Sequence, residues 1–306
     1  MSDLPEANLT VEGRFEPEME TYDACVIGAG VAGLSCARLL RANGLDVLVL
    51  EAGDGIGGRM RTDRVQGFTL GRGFHVVQTA YPEALRQLDF HSLDLHPFLP
   101  GALIRSQDRF QRFIDPSRVP IQALSSLTSQ VGTLQDKVRL LGLRRRVSGG
   151  EVNDLFKEPE MPMLQALQKA GFSQRIIERF FRPFYTAVFF DPELQTTSRM
   201  FHFVFRMFAQ GDGALPAEGI EAIPRQLARS LPEKRFQFQS QVQSVQQGAV
   251  TLGSRQKIQA KVLVLACDAQ EAARLLHRDT PPPYLGVRCM YFQAKEPPLS
   301  DRLIVL

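Results

Sequence analysis

Residues 24–34 of this chain read Ala-Cys-Val-Ile-Gly-Ala-Gly-Val-Ala-Gly-Leu. A short apolar strand runs directly into a glycine-rich turn, and the residues from Leu34 to Asn43 then have the apolar spacing of a helix. Gly44 marks the end of that helix, and residues 45–50 form a second apolar strand. The pattern predicts a β-α-β unit and therefore a parallel sheet.

The glycines of the turn and the acid after the second strand form a dinucleotide-binding fingerprint. Gly28 permits the tight turn, Gly30 lets the backbone approach a pyrophosphate, and Gly33 lets the helix pack closely on the strand. Glu51 can accept hydrogen bonds from ribose hydroxyls, and its charge repels a 2′-phosphate, which favours FAD or NAD over NADP. The residues expected to contact the cofactor in this unit are Gly28, Ala29, Gly30, Val31, Ala32, Gly33, Glu51 and Ala52.

A second glycine-rich run, Gly57-Gly58-Arg59, follows shortly after the ribose-binding acid. Paired glycines allow main chain to lie against a cofactor, and a guanidinium gives a pyrophosphate a charge-assisted partner. The alternative is a glycine-rich surface turn with a solvated arginine. Taken with the first motif, the run favours FAD over NAD.

Together these motifs resemble the flavin-containing amine oxidase and phytoene desaturase superfamily of FAD-dependent oxidoreductases, in particular its desaturase-like members. The resemblance covers residues 23–306 and also rests on GFTLGRGFHV at 67–76, RPFYTAVFFDPELQTTSRMF at 182–201 and LPAEGIEAIPRQLA at 215–228. It implies that Glu51 binds the ribose and Arg59 the pyrophosphate. It also implies that Val242 presents its backbone to the adenine. The residues that it places along the flavin ring are Gly73, Phe74, His75 and Val76.

The expected fold class is α/β, with a Rossmann-type FAD-binding domain and a discontinuous, helix-rich α+β substrate domain. Later helices are expected at 134–147, 163–181 and 220–231, and later strands at 109–114, 236–245, 249–252, 261–266, 284–292 and 303–306. The expected divisions are a flexible leader at 1–22, an FAD-binding domain at 23–79 and 211–280, and a substrate domain at 80–210 and 281–306. Family members run on through a further segment near the flavin, so the chain resembles a C-terminally short member.

The amino-acid composition limits the classes of partner that the chain is expected to bind. Lys and Arg number 36 against 33 Asp and Glu, a surplus too small to indicate nucleic acid binding. The four cysteines form no CxxC, and no metal site is expected. The chain has no signal peptide pattern and no apolar run long enough to cross a bilayer, which predicts a cytoplasmic protein. Residues 144–146, Arg-Arg-Arg, leave peripheral membrane contact open, and the oligomeric state is not indicated.

The chemistry expected from a flavin needs no protein nucleophile, so no catalytic residue is assigned. Without a second dinucleotide motif, reoxidation by oxygen or a quinone-like acceptor is expected. Ten phenylalanines between 172 and 208 either line a cavity for an apolar small-molecule substrate or pack the helices. One alternative function is amine oxidation, disfavoured because Arg288 stands where monoamine-type enzymes carry a lysine. Another is a non-catalytic nucleotide-binding remnant.

Overall fold

The computed structural model describes residues 21–106, 109–115, 118–119, 129–297, 299 and 301–306. Most of the expected leader, residues 1–20, therefore lies outside the described residues. Its last two residues, Thr21 and Tyr22, already belong to the first strand, so the leader expectation is wrong for these two positions.

Strands and helices alternate in the first part of the chain, and helices dominate between residues 134 and 210. The strands are β1 Thr21–Ile27, β2 Val47–Leu50, β3 Thr62–Val65, β4 Phe68–Gly71, β5 Val77–Gln78, β6 Leu95–Pro97, β7 Gly101–Ser106, β8 Arg109–Ile114, β9 Gly213–Pro216, β10 Phe236–Gln237, β11 Val242–Gln246, β12 Ala249–Leu252, β13 Lys257–Leu265 and β14 Ile304–Val305. The α-helices are α1 Val31–Ala42, α2 Pro82–Gln87, α3 Leu134–Ser148, α4 Met163–Lys169, α5 Gln174–Ile176, α6 Arg182–Phe189, α7 Ser198–Gln210, α8 Ala222–Ala228 and α9 Ala269–Leu275. A π turn, Ile177–Phe181, joins α5 to α6, and 3-10 turns lie at Val152–Lys157 and Glu233–Arg235.

The main sheet has the strand order β10-β2-β1-β13-β12-β11. Strands β10, β2, β1 and β13 are parallel, and Ile27 pairs with both Leu50 and Leu265 at their carboxyl ends. Strands β12 and β11 add an antiparallel hairpin. The carboxyl ends of the parallel strands therefore meet at one edge, as the β-α-β prediction requires.

Both faces of this sheet are covered, which explains the continuous apolar runs at residues 24–27 of β1 and throughout β2. Cys25 and Leu48 face one core, whereas Val26 and Val49 face the other, and all four are at most 3% exposed. A parallel strand buried on both sides needs this continuous apolar run rather than alternation. The α/β prediction is confirmed.

The helix-rich part has its own core. Helices α3 to α7 pack around buried residues such as Phe181, Tyr185 and Phe201 and against the sheet β14-β7-β8. The strand expected at 109–114 and the helix expected at 134–147 are confirmed. The helix expected at 163–181 is interrupted, because Gly171 adopts a left-handed φ of +81° and Ser173 caps a new helix.

The C-terminal residues depart further from expectation. The strand expected at 284–292 is wrong: these residues are irregular and exposed, with Phe292 85% and Met290 69% exposed. The strand expected at 303–306 is confirmed at its centre, where Ile304–Val305 pairs with β7.

A small sheet, β5-β9-β6, links the two parts of the chain. Val77 pairs with Ala214. Beyond this pair, the Thr79 amide donates to the Asp212 carbonyl at 3.0 Å, and the Asp212 amide donates to Thr79 Oγ1 at 2.8 Å. Residues 80–211 therefore begin and end at adjacent positions, just after β5 and just before β9. The assignment of 23–79 with 211–280, and of 80–210 with 281–306, to separate domains stays a prediction.

Candidate cofactor and substrate site

The first glycine loop lies at the carboxyl end of β1 and is tight at two of its three glycines. Gly28 has a φ of +110°, and a Cβ there would lie 2.8 Å from the Ala266 carbonyl oxygen. A Cβ on Gly33 would lie 1.9 Å from the Gly28 carbonyl oxygen, so helix and strand approach as closely as backbone allows. A Cβ on Gly30 would meet no atom within 4 Å. Backbone atoms therefore crowd Gly28 and Gly33, whereas the space beside Gly30 is open.

The amino terminus of α1 faces this opening without a cap of its own. Gly30 is the N-cap residue and supplies no side-chain hydrogen bond, and the first turn carries no acidic residue. The first intrahelical amide is that of Leu34, which donates to the Gly30 carbonyl at 2.9 Å. The amides of Val31, Ala32 and Gly33 precede it and have no intrahelical acceptor. Such an end attracts phosphate oxygens.

Glu51 points its carboxylate into the same loop. Its Oε2 accepts a hydrogen bond from the Ala29 amide at 2.8 Å, and its Oε1 accepts one from the Gly53 amide at 2.8 Å. Each carboxylate oxygen can accept a second hydrogen bond, so both remain available to ribose hydroxyls. The half-buried side chain thus stands where the fingerprint predicts, followed by the exposed Ala52.

The second glycine loop lies directly on the first. The Gly57 amide donates to the Ala29 carbonyl at 2.8 Å. A Cβ on Gly58 would lie 3.4 Å from the Gly30 Cα, and Gly57 and Gly58 both have positive φ, at +108° and +55°. Sequence spacing predicts that both loops serve one cofactor, and the structure brings them into contact.

In the described part of the chain, Arg59 differs from the neighbouring arginines in having no ion-pair partner. Within the residues that the structure describes, no carboxylate or carbonyl pairs with its exposed guanidinium. The other arginines of this segment are each engaged: Arg61 with Asp54, Arg64 with Glu218 and Arg72 with Asp63. Among the described arginines of this segment, Arg59 is therefore the one left available for a diphosphate.

The segment expected along the flavin ring follows the hairpin β3-β4. Gly73 has a φ of +134°, and His75 Nδ1 lies 3.2 Å from the Gly73 carbonyl oxygen. Partial burial, together with the charge of Arg59, lowers the pKa of His75, although the hydrogen bond to Gly73 opposes this. The imidazole is accordingly neutral at neutral pH. Phe74 is 52% exposed.

Val242, expected at the adenine, is buried in β11. Its carbonyl accepts a hydrogen bond from Arg274 Nη2 at 2.8 Å. The chain just before it is hydrogen-bonded to Glu51, the residue predicted to bind the ribose, because the Ser240 amide donates to the Glu51 carbonyl at 2.8 Å. The backbone of Val242 therefore lies close to the end of β2, while its role toward adenine stays a prediction.

Gln78 is a residue that the sequence did not single out. It is 3% exposed, and among the described residues neither its amide nitrogen nor its amide oxygen has a hydrogen-bond partner. An unsatisfied buried polar group costs about 1–3 kcal/mol, so an orphaned amide indicates a missing partner. Gln78 follows the predicted flavin segment by two residues, and the only signal for it was an amide in an otherwise apolar strand.

A cavity of about 250 Å³ lies beside this segment, mostly between the helices and the sheet β14-β7-β8. Its aromatic walls include Phe98, Phe113, Phe180, Phe184, Phe205 and Phe208. Four of the ten phenylalanines considered from sequence therefore line a cavity, whereas Phe172, Phe181 and Phe201 are packed in the helical core. Some phenylalanines of the cluster therefore line a cavity and others pack the helices, while binding of an apolar substrate in that cavity stays a prediction.

Gly213 connects the cavity to the predicted flavin segment. It lines the cavity, and a Cβ there would lie 2.9 Å from Val76 Cγ1, 3.8 Å from Phe208 and 3.9 Å from Phe98. A single glycine thus separates Val76 from the aromatic walls.

Two other features bear on function. Across the described ranges, no three or more His, Cys, Asp or Glu side chains are grouped to hold a metal ion. No helix in the described part of the chain is long and apolar enough to span a membrane. Of the arginine triplet, Arg144 pairs with Asp115 and Arg146 with Glu158, so two of the three guanidinium groups are engaged within the protein.

Comparison with known proteins places this geometry in a family. The model of the flavin containing amine oxidoreductases matches residues 31–293. Protoporphyrinogen oxidase 2, chloroplastic/mitochondrial, of Arabidopsis thaliana is 31% identical over 116 residues, which are 38% of this chain and 22% of that protein. Flavin-containing amine oxidase A of Canis lupus familiaris is 53% identical over 47 residues, 15% of this chain and 9% of that protein.

Among solved structures, a cofactor-binding redesign of putrescine oxidase superposes with a TM-score of 0.60 at 18% identity, covering 86% of this chain and 62% of that one. That likeness shows the fold. The chain spans less than two thirds of the length of each of these proteins. The cofactor that family and fold indicate is FAD. The open space at Gly30, the unpaired Arg59 and the orphaned Gln78 all fit such a group.

Proposed function

The chain belongs to the flavin-containing amine oxidoreductase family, and from this premise we propose that it is an FAD-dependent oxidoreductase that removes hydride from an apolar small molecule. In a desaturation the substrate would lose a hydride to the flavin and a proton to solvent, and the reduced cofactor would be reoxidised by oxygen or a quinone-like acceptor. In an isomerisation the hydride would return to the substrate and no acceptor would be needed. The observation that carries the proposal is the aromatic cavity, which Gly213 joins to Val76.

The proposed division of labour follows from the two halves of the site. The flavin supplies a hydride-accepting ring, which is chemistry that side chains do not provide. The two glycine loops and the amino terminus of α1 hold the diphosphate, Glu51 holds the ribose, and Arg59 adds charge. Residues 73–76 lie along the ring. The phenylalanine walls position an apolar molecule and exclude water, as ligand cavities generally do.

Amine oxidation is the second candidate, because the family model and the putrescine oxidase fold both point toward amines. The charges at the cavity oppose it. Among the described lining residues, the one carboxylate is that of Asp115, and it is already paired with Arg144. The rest of the wall is largely aromatic and aliphatic, so an apolar substrate without an ammonium group is favoured.

A reductive half-reaction tests the proposal. FAD-loaded protein is mixed anaerobically with a polyene or with a simple amine, and loss of the flavin's visible absorbance is followed. We expect bleaching by the polyene and none by the amine. Bleaching by the amine alone would favour amine oxidation, and protein that stays colourless after incubation with FAD would contradict both.

Two matched variants test whether the reaction takes place at the cavity. Leu141 and Val138 both lie on the exposed side of α3, but only Leu141 lines the cavity. We expect Leu141→Trp to slow bleaching by the polyene, because the indole fills the cavity, and Val138→Trp to leave it unchanged. Equal rates in the two variants would remove the cavity from the proposal.

A further inference from the structure

Helix α3 presents an apolar stripe to solvent where a polar face is expected. Leu134, Val138 and Leu141 are 74%, 63% and 51% exposed. Their spacing of four and then three residues places them side by side on one face of the helix. The buried residues of α3 lie on the opposite face and are Asp136, Leu143 and Val147. Single exposed apolar residues are common on proteins, but a contiguous stripe at the centre of a solvent face indicates a contact surface.

The exposed charges of α3 are all positive. The helix contains one acidic residue, Asp136, which is fully buried and accepts hydrogen bonds from Thr133 and Ser173. Its cations are Lys137, Arg139, Arg144, Arg145 and Arg146. The helix therefore offers no carboxylate of its own to the surroundings.

Arg145 continues the stripe by one helical turn. It follows Leu141 by four residues, its side chain is exposed, and no carboxylate pairs with it in the part of the chain that the structure describes. Arg144 and Arg146, in contrast, pair with carboxylates of other segments. The outward face of α3 thus combines an apolar stripe with an unpaired guanidinium in line with it.

The stripe also borders the proposed substrate cavity. Leu141 is half-exposed on the outside of α3 and lines the cavity, as does Leu140 beside it. The apolar wall of the cavity therefore continues onto the outer surface of the helix at Leu141.

We infer that α3 docks the protein on an anionic lipid surface, with Leu134, Val138 and Leu141 at the headgroup boundary and Arg145 beside the lipid phosphates. Helices that have an apolar face, low net hydrophobicity and many Lys and Arg residues bind membrane interfaces in this way. Charge distinguishes the possible occupants of the stripe. Anionic headgroups complement a helix whose exposed charges are all positive, whereas a second copy of the same face would bring like charges together across a two-fold contact.

Co-sedimentation of the purified protein with vesicles tests the docking. The vesicles consist of phosphatidylcholine alone or of phosphatidylcholine mixed with phosphatidylglycerol, which is anionic. We expect the protein to bind the mixed vesicles at least about fivefold more tightly, the gain that one cation provides at an anionic surface. Failure to bind the mixed vesicles, or equal binding to both kinds, would overturn the inference. Because no turnover is measured, this result is independent of which molecule the cavity accepts.

A double substitution of the stripe tests the apolar contact. Leu134 and Val138 do not line the cavity, so Leu134→Gln combined with Val138→Gln leaves its wall intact. We expect this variant to bind the mixed vesicles about tenfold more weakly or less, because it removes two apolar side chains from the lipid boundary. The matched control changes two leucines on α1 and α2 that are each 60% exposed, Leu39→Gln with Leu85→Gln, and should bind as the wild-type protein does. Equal affinities of the two double variants would contradict docking through α3.

Arg145→Gln tests the charged contact, with Arg278→Gln as its control, because both arginines are exposed. We expect Arg145→Gln to bind the mixed vesicles about fivefold more weakly and phosphatidylcholine alone unchanged, and Arg278→Gln to alter neither. An unaltered affinity of Arg145→Gln for the mixed vesicles would remove the charge argument. Sedimentation velocity without lipid examines the other occupant: a dimer that the double substitution of the stripe dissociates would assign the stripe to a second copy and overturn the inference.

Discussion

Replacing Gly30 by alanine separates cofactor binding from folding, because the structure predicts a large effect on the first and almost none on the second. The added Cβ meets no protein atom within 4 Å, and the backbone at φ −74° and ψ 176° suits alanine. Restricting the unfolded chain stabilises the variant by about 0.4–1 kcal/mol. Replacing glycine by alanine as the N-cap residue costs up to about 1 kcal/mol, because alanine is a much poorer N-cap than glycine. The net change in the free energy of unfolding should therefore lie within about 1 kcal/mol of zero.

The same methyl group is expected to weaken cofactor binding. If the diphosphate fills the space over Gly30, the Cβ overlaps it, and crowding of this kind costs about 1–3 kcal/mol. FAD should then bind roughly 10-fold to 100-fold more weakly, a change that quenching of FAD fluorescence on titration with apo-protein measures. Urea unfolding of the same apo-protein gives the stability.

Gly33→Ala is the matched control, since its Cβ would lie 1.9 Å from the Gly28 carbonyl oxygen. Real Cβ contacts essentially never fall below 3.0 Å, so α1 must move away from β1 by about 1 Å. We expect this variant to lose about 1–3 kcal/mol of stability or more. The reasoning is refuted if Gly30→Ala binds FAD as tightly as the wild-type protein, or if it is destabilised as much as Gly33→Ala.

Three further predictions concern single side chains. Glu51→Ala and Arg59→Ala should each weaken FAD binding by about 1–3 kcal/mol, because each removes a charged hydrogen-bond partner, whereas Arg64→Ala, which only releases a surface carboxylate, should not. Fluorescence titration checks this, and equal affinity in all three variants would contradict the assignment of the site. Gln78→Met should stabilise the apo-protein by about 1–3 kcal/mol, since it removes the desolvation cost of an unpaired amide, and should weaken FAD or substrate binding. Urea unfolding measures the first effect, and a less stable Met variant would indicate that the amide is satisfied within the protein. Burial, reinforced by a neighbouring guanidinium, lowers the pKa of His202 below its usual 6.5, so its stabilising contribution is complete above that pH and is lost as the pH falls through it. In unfolding experiments between pH 8 and 5, His202→Gln should lose stability less steeply than the wild-type protein, and identical slopes would show that the imidazole does not titrate differently on folding.

The parts of the fold that sequence predicts well are those whose cause is local. Gly28 needs a left-handed φ and Gly33 needs a missing side chain, and both requirements are visible as glycines at fixed spacing. The strands of the first unit read as apolar runs because both of their faces are covered. Glu51 could be placed for the same reason, since the end of a buried strand is a defined position at the sheet edge.

Predictions failed where the outcome depended on distant partners. An apolar, alternating stretch such as 284–292 has the pattern of a strand, but a strand needs a neighbour, and these residues lie exposed outside every sheet of the described chain. The break after α4 had a local signal, Gly171 followed by the N-cap Ser173, which the helical spacing on either side concealed.

The candidate site contains both features with a local sequence signal and features that depend on distant parts of the chain. Each glycine loop was recognisable alone, but the contact between Gly58 and Gly30 is tertiary. The aromatic wall of the cavity brings together Phe98, Phe113 and Phe184, whose separations along the chain follow no motif. The orphaned amide of Gln78 becomes visible only once its surroundings are known, because hydrogen-bond satisfaction is a property of the packed structure.

The closure of the chain between Thr79 and Asp212 has an evolutionary and practical consequence. Because the two ends of this long excursion are hydrogen-bonded to each other, the helices α3 to α7 between them can change in length or sequence while the junction stays closed. A family with this junction can keep one dinucleotide-binding site. It can acquire new substrates by exchanging the helical part inserted between β5 and β9. The same junction offers an engineer a boundary for chimeras.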